Sequence, residues 1–131
     1  MRYMLMMTGT LAGFSSFNTW SKEDVRNHVA FMMTLNKELK ANGELIAGEG
    51  LAWPNQAVQV RAGQDGEPIT DGVFPETKEF LAGFWIVGVD SAERAYQIAA
   101  IASAAPGKGG VKLNMPIEVR QIMDGPPDDT L

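Results

Sequence analysis

Apolar residues follow two spacings along the chain, and the spacing separates the predicted helices from the predicted strands. From residue 22 to residue 42 large apolar residues recur every three or four positions, which predicts an amphipathic helix lying on a sheet. Ser21 and Asp24 suit the N-terminal cap of this helix, and Gly43 suits its C-terminal end. The predicted apolar face consists of Val25, Val29, Met32, Leu35 and Leu39.

Continuous and alternating apolar runs predict the strands. Residues 2–8 and 80–89 are rich in large apolar side chains, as in buried strands, whereas residues 56–61 alternate apolar and polar side chains. Asp65 and Gly66 predict a type I′ hairpin turn, because both central positions of that turn need a positive φ. The other predicted elements are strands at 44–51, 68–70 and 117–122, a helix at 92–105 that Ser91 caps, and loops at 11–20 and 71–76.

The order of these elements is strand, helix, strand, hairpin, long strand, helix, strand. This order predicts an α+β domain of the ferredoxin-like kind, with two helices over one face of an antiparallel sheet. The other face would carry Arg61, Glu118 and Arg120 among apolar neighbours, a mixture too apolar to be left in water. A second copy packed against that face would cover it, so we expect a homodimer.

Composition narrows the possible function classes. The 131 residues, 45% of them hydrophobic, suit a single domain, which we expect at residues 1–123, with a disordered acidic tail at 124–131. The net charge of −5, without a basic cluster, argues against nucleic acid as a partner. The chain has no cysteine and one histidine, so we expect no metal and no cofactor. No segment has the length to span a bilayer, so we expect no membrane partner and a cytoplasmic protein.

Three stretches resemble the YCII-related family, and within it the branch that carries a DGPF motif. They are residues 42–51 (NGELIAGEGL), 70–84 (TDGVFPETKEFLAGF) and 117–120 (IEVR), in the family's order over nearly the whole chain. The motif reads Asp71-Gly72-Val73-Phe74 here, with valine in the place of the family's proline. A proline would fix φ in this turn, so we expect the valine to leave the loop less constrained.

The resemblance implies a dimeric α/β barrel, in agreement with the fold expected from the element order. Some YCII-like relatives are lyases or dehydrochlorinases with a histidine in the cleft, and His28 resembles that histidine in its position on the helix. In those relatives an aspartate near the end of the same helix assists the histidine, but Lys40-Ala41-Asn42 contains none. Other DGPF-type proteins resemble partners that are fused to alternative sigma factors or encoded beside them.

His28 is the candidate catalytic residue, because its polar ring falls near the centre of the apolar stripe of the predicted helix. A buried imidazole needs hydrogen-bond partners, and a substrate, water or carboxylate in a cleft would supply them. The candidate substrate-binding residues are Glu49, Asp71, Glu76 and Arg120. Structural alternatives stay open, since His28 also suits a satisfied core or interface histidine and Asp71 suits the cap of its own turn.

Two functions are consistent with this sequence. The first is a homodimeric small-molecule-binding domain with a cleft near His28, either a binding protein or a metal-free lyase or isomerase that uses His28 as general acid or base. The alternative is a non-enzymatic regulatory or interaction protein associated with alternative sigma factors. The residues themselves do not choose a ligand, because a fold of this kind does not imply one.

Overall fold

The computed structural model describes residues 1–72 and 79–126. Within these residues three α-helices and six strands form the domain, in the predicted α+β class. Their bounds are β1 Arg2–Thr10, α1 Leu11–Ser15, α2 Lys22–Ala41, β2 Leu45–Gly50, β3 Val58–Ala62, β4 Pro68–Gly72, β5 Glu79–Gly88, α3 Ala92–Ser103 and β6 Ile117–Gln121. Short 3₁₀ turns lie at Ser16–Thr19, Pro54–Gln56 and Lys108–Gly110.

Four strands form one antiparallel sheet in the order β2-β5-β1-β6, and β3 pairs with β4 in a separate hairpin. The strands that flank α2 in the chain are β1 and β2, and β5 lies between them in the sheet. The strands that flank α3 are β5 and β6, and β1 lies between them. This is the interleaved order of a split βαβ arrangement, as the element order predicted.

Both long helices pack on one face of this sheet. Tyr3 and Leu5 of β1 face the same side as Trp85 and Val87 of β5, because the register pairs Tyr3 with Val87 and Leu5 with Trp85. These side chains form one buried cluster with residues of α2 and α3, namely Leu35, Leu39, Ala95, Ile98, Ala99 and Ala102. Burial of such a contiguous apolar cluster is the main stabilising contribution to a domain of this size.

The ends of α2 follow the predicted caps. The Ser21 hydroxyl accepts a hydrogen bond from the Asp24 N–H, and the Asp24 carboxylate accepts one from the Ser21 N–H, so both halves of a capping box form. Gly43 has φ +73°, the left-handed conformation expected after the helix. The predicted apolar face of α2 is buried only in its second half, since Leu39 is 2% exposed whereas Val25 and Val29 are each 47% exposed.

Two local predictions were wrong. Residues 11–19 of the predicted loop at 11–20 form α1 and a 3₁₀ turn, because the Thr10 hydroxyl accepts a hydrogen bond from the Gly13 N–H and the buried Phe14 packs over Gly9. The hairpin turn is not type I′, since Asp65 does not have a positive φ and Gly66 does, at +84°. The hydrogen bonds from Gly66 N–H to the Gly63 carbonyl and from Gly63 N–H to the Glu67 carbonyl fit a longer loop that ends in a left-handed glycine.

The sheet face opposite the helices, called the open face below, carries Met4, Met6, Phe84 and Ile86 at its centre and Glu118 and Arg120 on β6. Arg61 does not lie on this face, contrary to the prediction. It belongs to β3 of the hairpin, where it forms a 3.1 Å ion pair with Asp71. Residues 73–78, which include the second half of the motif, and residues 127–131 of the expected tail lie outside the described part of the chain.

Candidate functional site

A pocket of about 250 Å³ lies between the sheet and α2, at the end of the sheet where β1 leads towards α1. The helix contributes His28, Met32 and Asn36 to its wall. The sheet contributes Met7 of β1 and short segments of β2 and β5, at 48–50 and 82–85. His28 is therefore half-buried against a cavity, and the cavity belongs to the same face of the sheet as the core.

Glycines form the floor of this pocket. Gly83 pairs with Met7 on one side and with Gly50 on the other, and Gly48 pairs with the core residue Trp85, so all three glycines occupy helix-facing positions of adjacent strands. A side chain at any of them would project towards α2. An added Cβ at Gly50 would meet no atom within 4 Å, which means that the space above it is open. A cavity therefore remains between the sheet and α2, because these three strand positions carry no side chains to fill it.

The roof of the pocket is one stripe of α2. His28, Met32 and Asn36 are four residues apart, so they lie above one another on the same side of the helix. Leu35 and Leu39 on the adjoining side are buried in the core and fix the rotation of the helix over the sheet. Packing of the second half of α2 thus determines that its stripe of polar and sulfur-containing side chains faces the glycine floor.

His28 is held by a backbone carbonyl from the other end of the chain. Its Nδ1 lies 3.0 Å from the carbonyl oxygen of Pro106. Because a carbonyl oxygen can only accept a hydrogen bond, Nδ1 must carry the proton, and in the neutral ring Nε2 is then the basic nitrogen. The ring also makes an edge contact with the Trp20 indole, at a centroid distance of 5.4 Å and an interplanar angle of 68°. These two contacts orient the imidazole before any ligand binds.

The segment that presents the Pro106 carbonyl is itself attached to α2. The Oδ1 atom of Asp24 accepts a 3.1 Å hydrogen bond from the Gly109 N–H, while its Oδ2 atom accepts the capping bond from Ser21. The pKa of Asp24 is lowered, mainly by the hydrogen bond from the Ser21 N–H. The Gly109 N–H, the Ser21 hydroxyl and the Lys108 charge lower it further, while partial desolvation opposes them. Asp24 therefore remains ionised and links the helix start to the 106–110 segment.

Asn36 is a pocket residue that the sequence analysis did not single out. Its Oδ1 accepts a 2.9 Å hydrogen bond from the indole Nε1–H of Trp85, whose side chain is buried in the core. The signal available in the sequence was its spacing, two helical turns after His28. The alternating Gly48 and Gly50 gave a second signal, since glycine inside a strand often marks a close approach of a ligand or of another chain segment.

The predicted substrate-binding residues do not lie together in the structure. Glu49 borders the pocket with its backbone, since an added Cβ at Gly83 would lie 3.0 Å from the Glu49 carbonyl oxygen. Its side chain belongs to the opposite face of β2, because Glu49 pairs with Phe84 and its neighbour Gly48 pairs with Trp85. Asp71 is bonded to Arg61 on the hairpin, and Arg120 pairs with Met4 on the open face. Glu76 lies outside the described residues.

A strong ion pair lies away from this pocket, between the start of β2 and the first turn of α3. Arg94 donates to both carboxylate oxygens of Glu44, from Nε at 2.8 Å and from Nη2 at 2.9 Å. This bonding to Arg94 lowers the pKa of Glu44, and Glu44 raises the pKa of Arg94. The pair ties α3 to the sheet, and neither side chain lines the pocket below α2.

Among residues 1–72 and 79–126, no three histidine or acidic side chains lie close enough together to hold a metal ion. No helix in that same part of the chain is both long enough and apolar enough to cross a bilayer. The candidate catalytic residue, His28, lines the pocket below α2.

A sequence model of the YCII-related domain matches residues 1–112. The matched range contains α2, the glycine floor and the Pro106 carbonyl, and it ends before β6. No curated protein matches the chain.

Proposed function

The chain belongs to the YCII-related family, and we propose that it is a homodimeric small-molecule-binding protein in which His28 acts as general acid or base. The observation that carries this proposal is the orientation of the ring: Nδ1 is bonded to Pro106 and Nε2 remains for a ligand in the cavity. A base positioned in this way accelerates proton transfer by about 10²- to 10⁴-fold. This suits a lyase or isomerase that acts on an activated substrate.

The Pro106 carbonyl has the role here that a carboxylate has in many histidine sites. Such a partner fixes the tautomer and the orientation of the ring, and a backbone carbonyl can do both. It does not stabilise an imidazolium as strongly as a carboxylate would, because it carries no full charge. We therefore expect a substrate whose transferred proton is already acidic, in agreement with the absence of an aspartate at the end of α2.

We also propose the DGPF-motif branch as the chain's place within the family, on the strength of the motif at 71–74. The dimer is part of the same proposal. The open face of the sheet supports it, because Met4, Met6, Phe84 and Ile86 form an apolar centre that no described helix covers. A second copy packed sheet to sheet would complete an α/β barrel and bury more than about 1,200 Å².

The test uses the single histidine as a reporter. A fragment screen followed by proton–nitrogen correlation of the His28 ring identifies compounds that bind beside it without ambiguity of assignment. Gly50→Val should abolish every such response, since its side chain enters open space on the pocket floor. Gly72→Val on the exposed β4 is the matched control and should preserve the responses. A screen in which no compound shifts the His28 signals would reject the proposal.

A second candidate function is the interaction protein associated with alternative sigma factors. The hairpin favours it, because all residues of β3 and β4 are exposed and Val58, Val60 and Ile69 lie among them. In this case a purified sigma factor encoded beside the gene should bind the protein, and Val60→Lys should weaken that binding while Gly50→Val should not. If the small-molecule proposal is correct, Gly50→Val should abolish ligand binding and Val60→Lys should leave it unchanged.

A further inference from the structure

The two polar side chains of the pocket offer different hydrogen-bonding groups at its two ends. Asn36 and His28 are eight residues apart on α2, which places them about 12 Å apart along the helix axis with Met32 between them. A ligand that contacts both therefore needs a polar group at each end and an apolar middle. What each end can bind follows from the partners that these side chains already have.

Asn36 presents a donor. A tryptophan indole has a donor and no acceptor, so the atom of Asn36 that lies 2.9 Å from Trp85 Nε1 is the amide oxygen. The amide nitrogen, Nδ2, therefore points away from Trp85, and no acceptor within the described part of the chain takes a hydrogen bond from it. It remains for a ligand atom that accepts, such as a carbonyl oxygen.

His28 presents an acceptor in its neutral form. The Pro106 carbonyl holds the proton on Nδ1, which leaves a lone pair on Nε2. A ligand hydroxyl can donate to this lone pair. The two ends of the pocket are therefore complementary to a carbonyl oxygen at the Asn36 end and a hydroxyl group at the His28 end.

The charge and shape of the wall limit the ligand further. The described lining residues include no lysine or arginine, and their one acid, Glu49, borders the pocket with its backbone while its side chain lies on the opposite face of β2. A carboxylate ligand would lose its hydration without gaining a cationic partner. Between the two ends the wall includes the glycine backbone and the side chains of Met7 and Met32, whose thioethers contact aromatic rings favourably.

Building on the proposed function, we infer that the pocket takes a small uncharged carbonyl compound with a flat apolar middle and a hydroxyl at its other end. Its carbonyl oxygen accepts from Asn36 Nδ2, and its hydroxyl donates to His28 Nε2. Asn36 is then the residue that selects a neutral carbonyl over a carboxylate, because its donor is fixed in orientation by Trp85.

Three matched probes test this ligand class by calorimetry: para-hydroxyacetophenone, para-ethylphenol, which lacks the carbonyl, and para-hydroxybenzoate, which carries a charge. We expect the ketone to bind about tenfold more tightly than either of the others, the ratio that one well-placed hydrogen bond supplies. Asn36→Asp keeps an acceptor for Trp85 and removes the donor, so it should remove the preference for the ketone over ethylphenol. The indole N–H signal of Trp85 should stay in place and report an intact fold.

Two results would overturn the inference. One is equal or tighter binding of ethylphenol or of the benzoate, and the other is an unchanged preference for the ketone in Asn36→Asp. Either result leaves the proposed pocket standing if the bound probe still shifts the His28 signals and is still lost in Gly50→Val. Failure of all three probes to bind also overturns this inference. It leaves the proposed function standing as long as other compounds of the fragment screen still shift the His28 signals.

Discussion

The Nδ1 atom of His28 lies 3.0 Å from the carbonyl oxygen of Pro106, a residue 78 positions further along the chain. This pairing predicts that the neutral ring carries its proton on Nδ1. Long-range proton–nitrogen correlation at alkaline pH should show a protonated Nδ1 and an unprotonated Nε2, and the single histidine makes the assignment direct. A ring that is protonated mainly on Nε2 would contradict the geometry and remove Nε2 as the base.

Substitution of His28 separates its structural role from its functional one. His28→Ala removes the bond to Pro106 and the contact with Trp20, so we expect a loss of roughly 1 to 2 kcal/mol in the free energy of unfolding. His28→Asn keeps an N–H donor near the position of Nδ1 and should recover part of that loss. Urea titrations measure both.

The functional role predicts that both His28 variants lose ligand binding or turnover alike, because neither retains a base at the position of Nε2. The asparagine variant is the informative control, since its stability should be closest to that of the parent. If both variants bind every ligand of the parent with unchanged affinity, His28 is a structural residue and the proposed chemistry is wrong.

The ion pair of Glu44 and Arg94 predicts a dependence of stability on pH. Arg94 lowers the pKa of Glu44 in the folded state. The ion pair therefore contributes its full stabilisation at a pH above the ordinary pKa of Glu44, near 4.5, and this stabilisation is lost as the pH falls through the lower pKa of the folded state. Glu44→Gln should cost about 0.5 to 1 kcal/mol at neutral pH and much less near pH 3. Glu38→Gln on the exposed side of α2 is the control and should cost little at either pH. An equal cost of Glu44→Gln at both pH values would exclude the ion pair as the cause.

The proposed dimer predicts that a charge on the open sheet face separates the subunits. Met6 lies at the centre of this face between Phe84 and Glu118, so Met6→Lys should give a folded monomer in light scattering or native mass measurement. Met33→Lys is the matched control, because Met33 is 66% exposed on α2 and lies on the helical side of the domain. A monomeric parent protein at micromolar concentration would contradict the dimer.

The sequence by itself determined the elements whose signals are local. The capping box of Ser21 and Asp24 and the left-handed Gly43 act over a few residues, so the bounds of α2 were predicted within one residue. The order of strands and helices likewise restricted the sheet to an interleaved arrangement. The position of His28 on the inward side of α2 followed from helical spacing alone.

Only the tertiary structure decided what surrounds His28. Strand pairing aligned Gly48, Gly50 and Gly83 into one floor and turned the side chain of Glu49 to the other face, and both outcomes depend on register between strands that are far apart in the chain. The bond to Pro106 joins segments from opposite ends of the chain, and no local pattern encodes such a contact. Spacing within one element fixes which way a side chain points, whereas the identity of its neighbours is fixed by the packing of the whole domain.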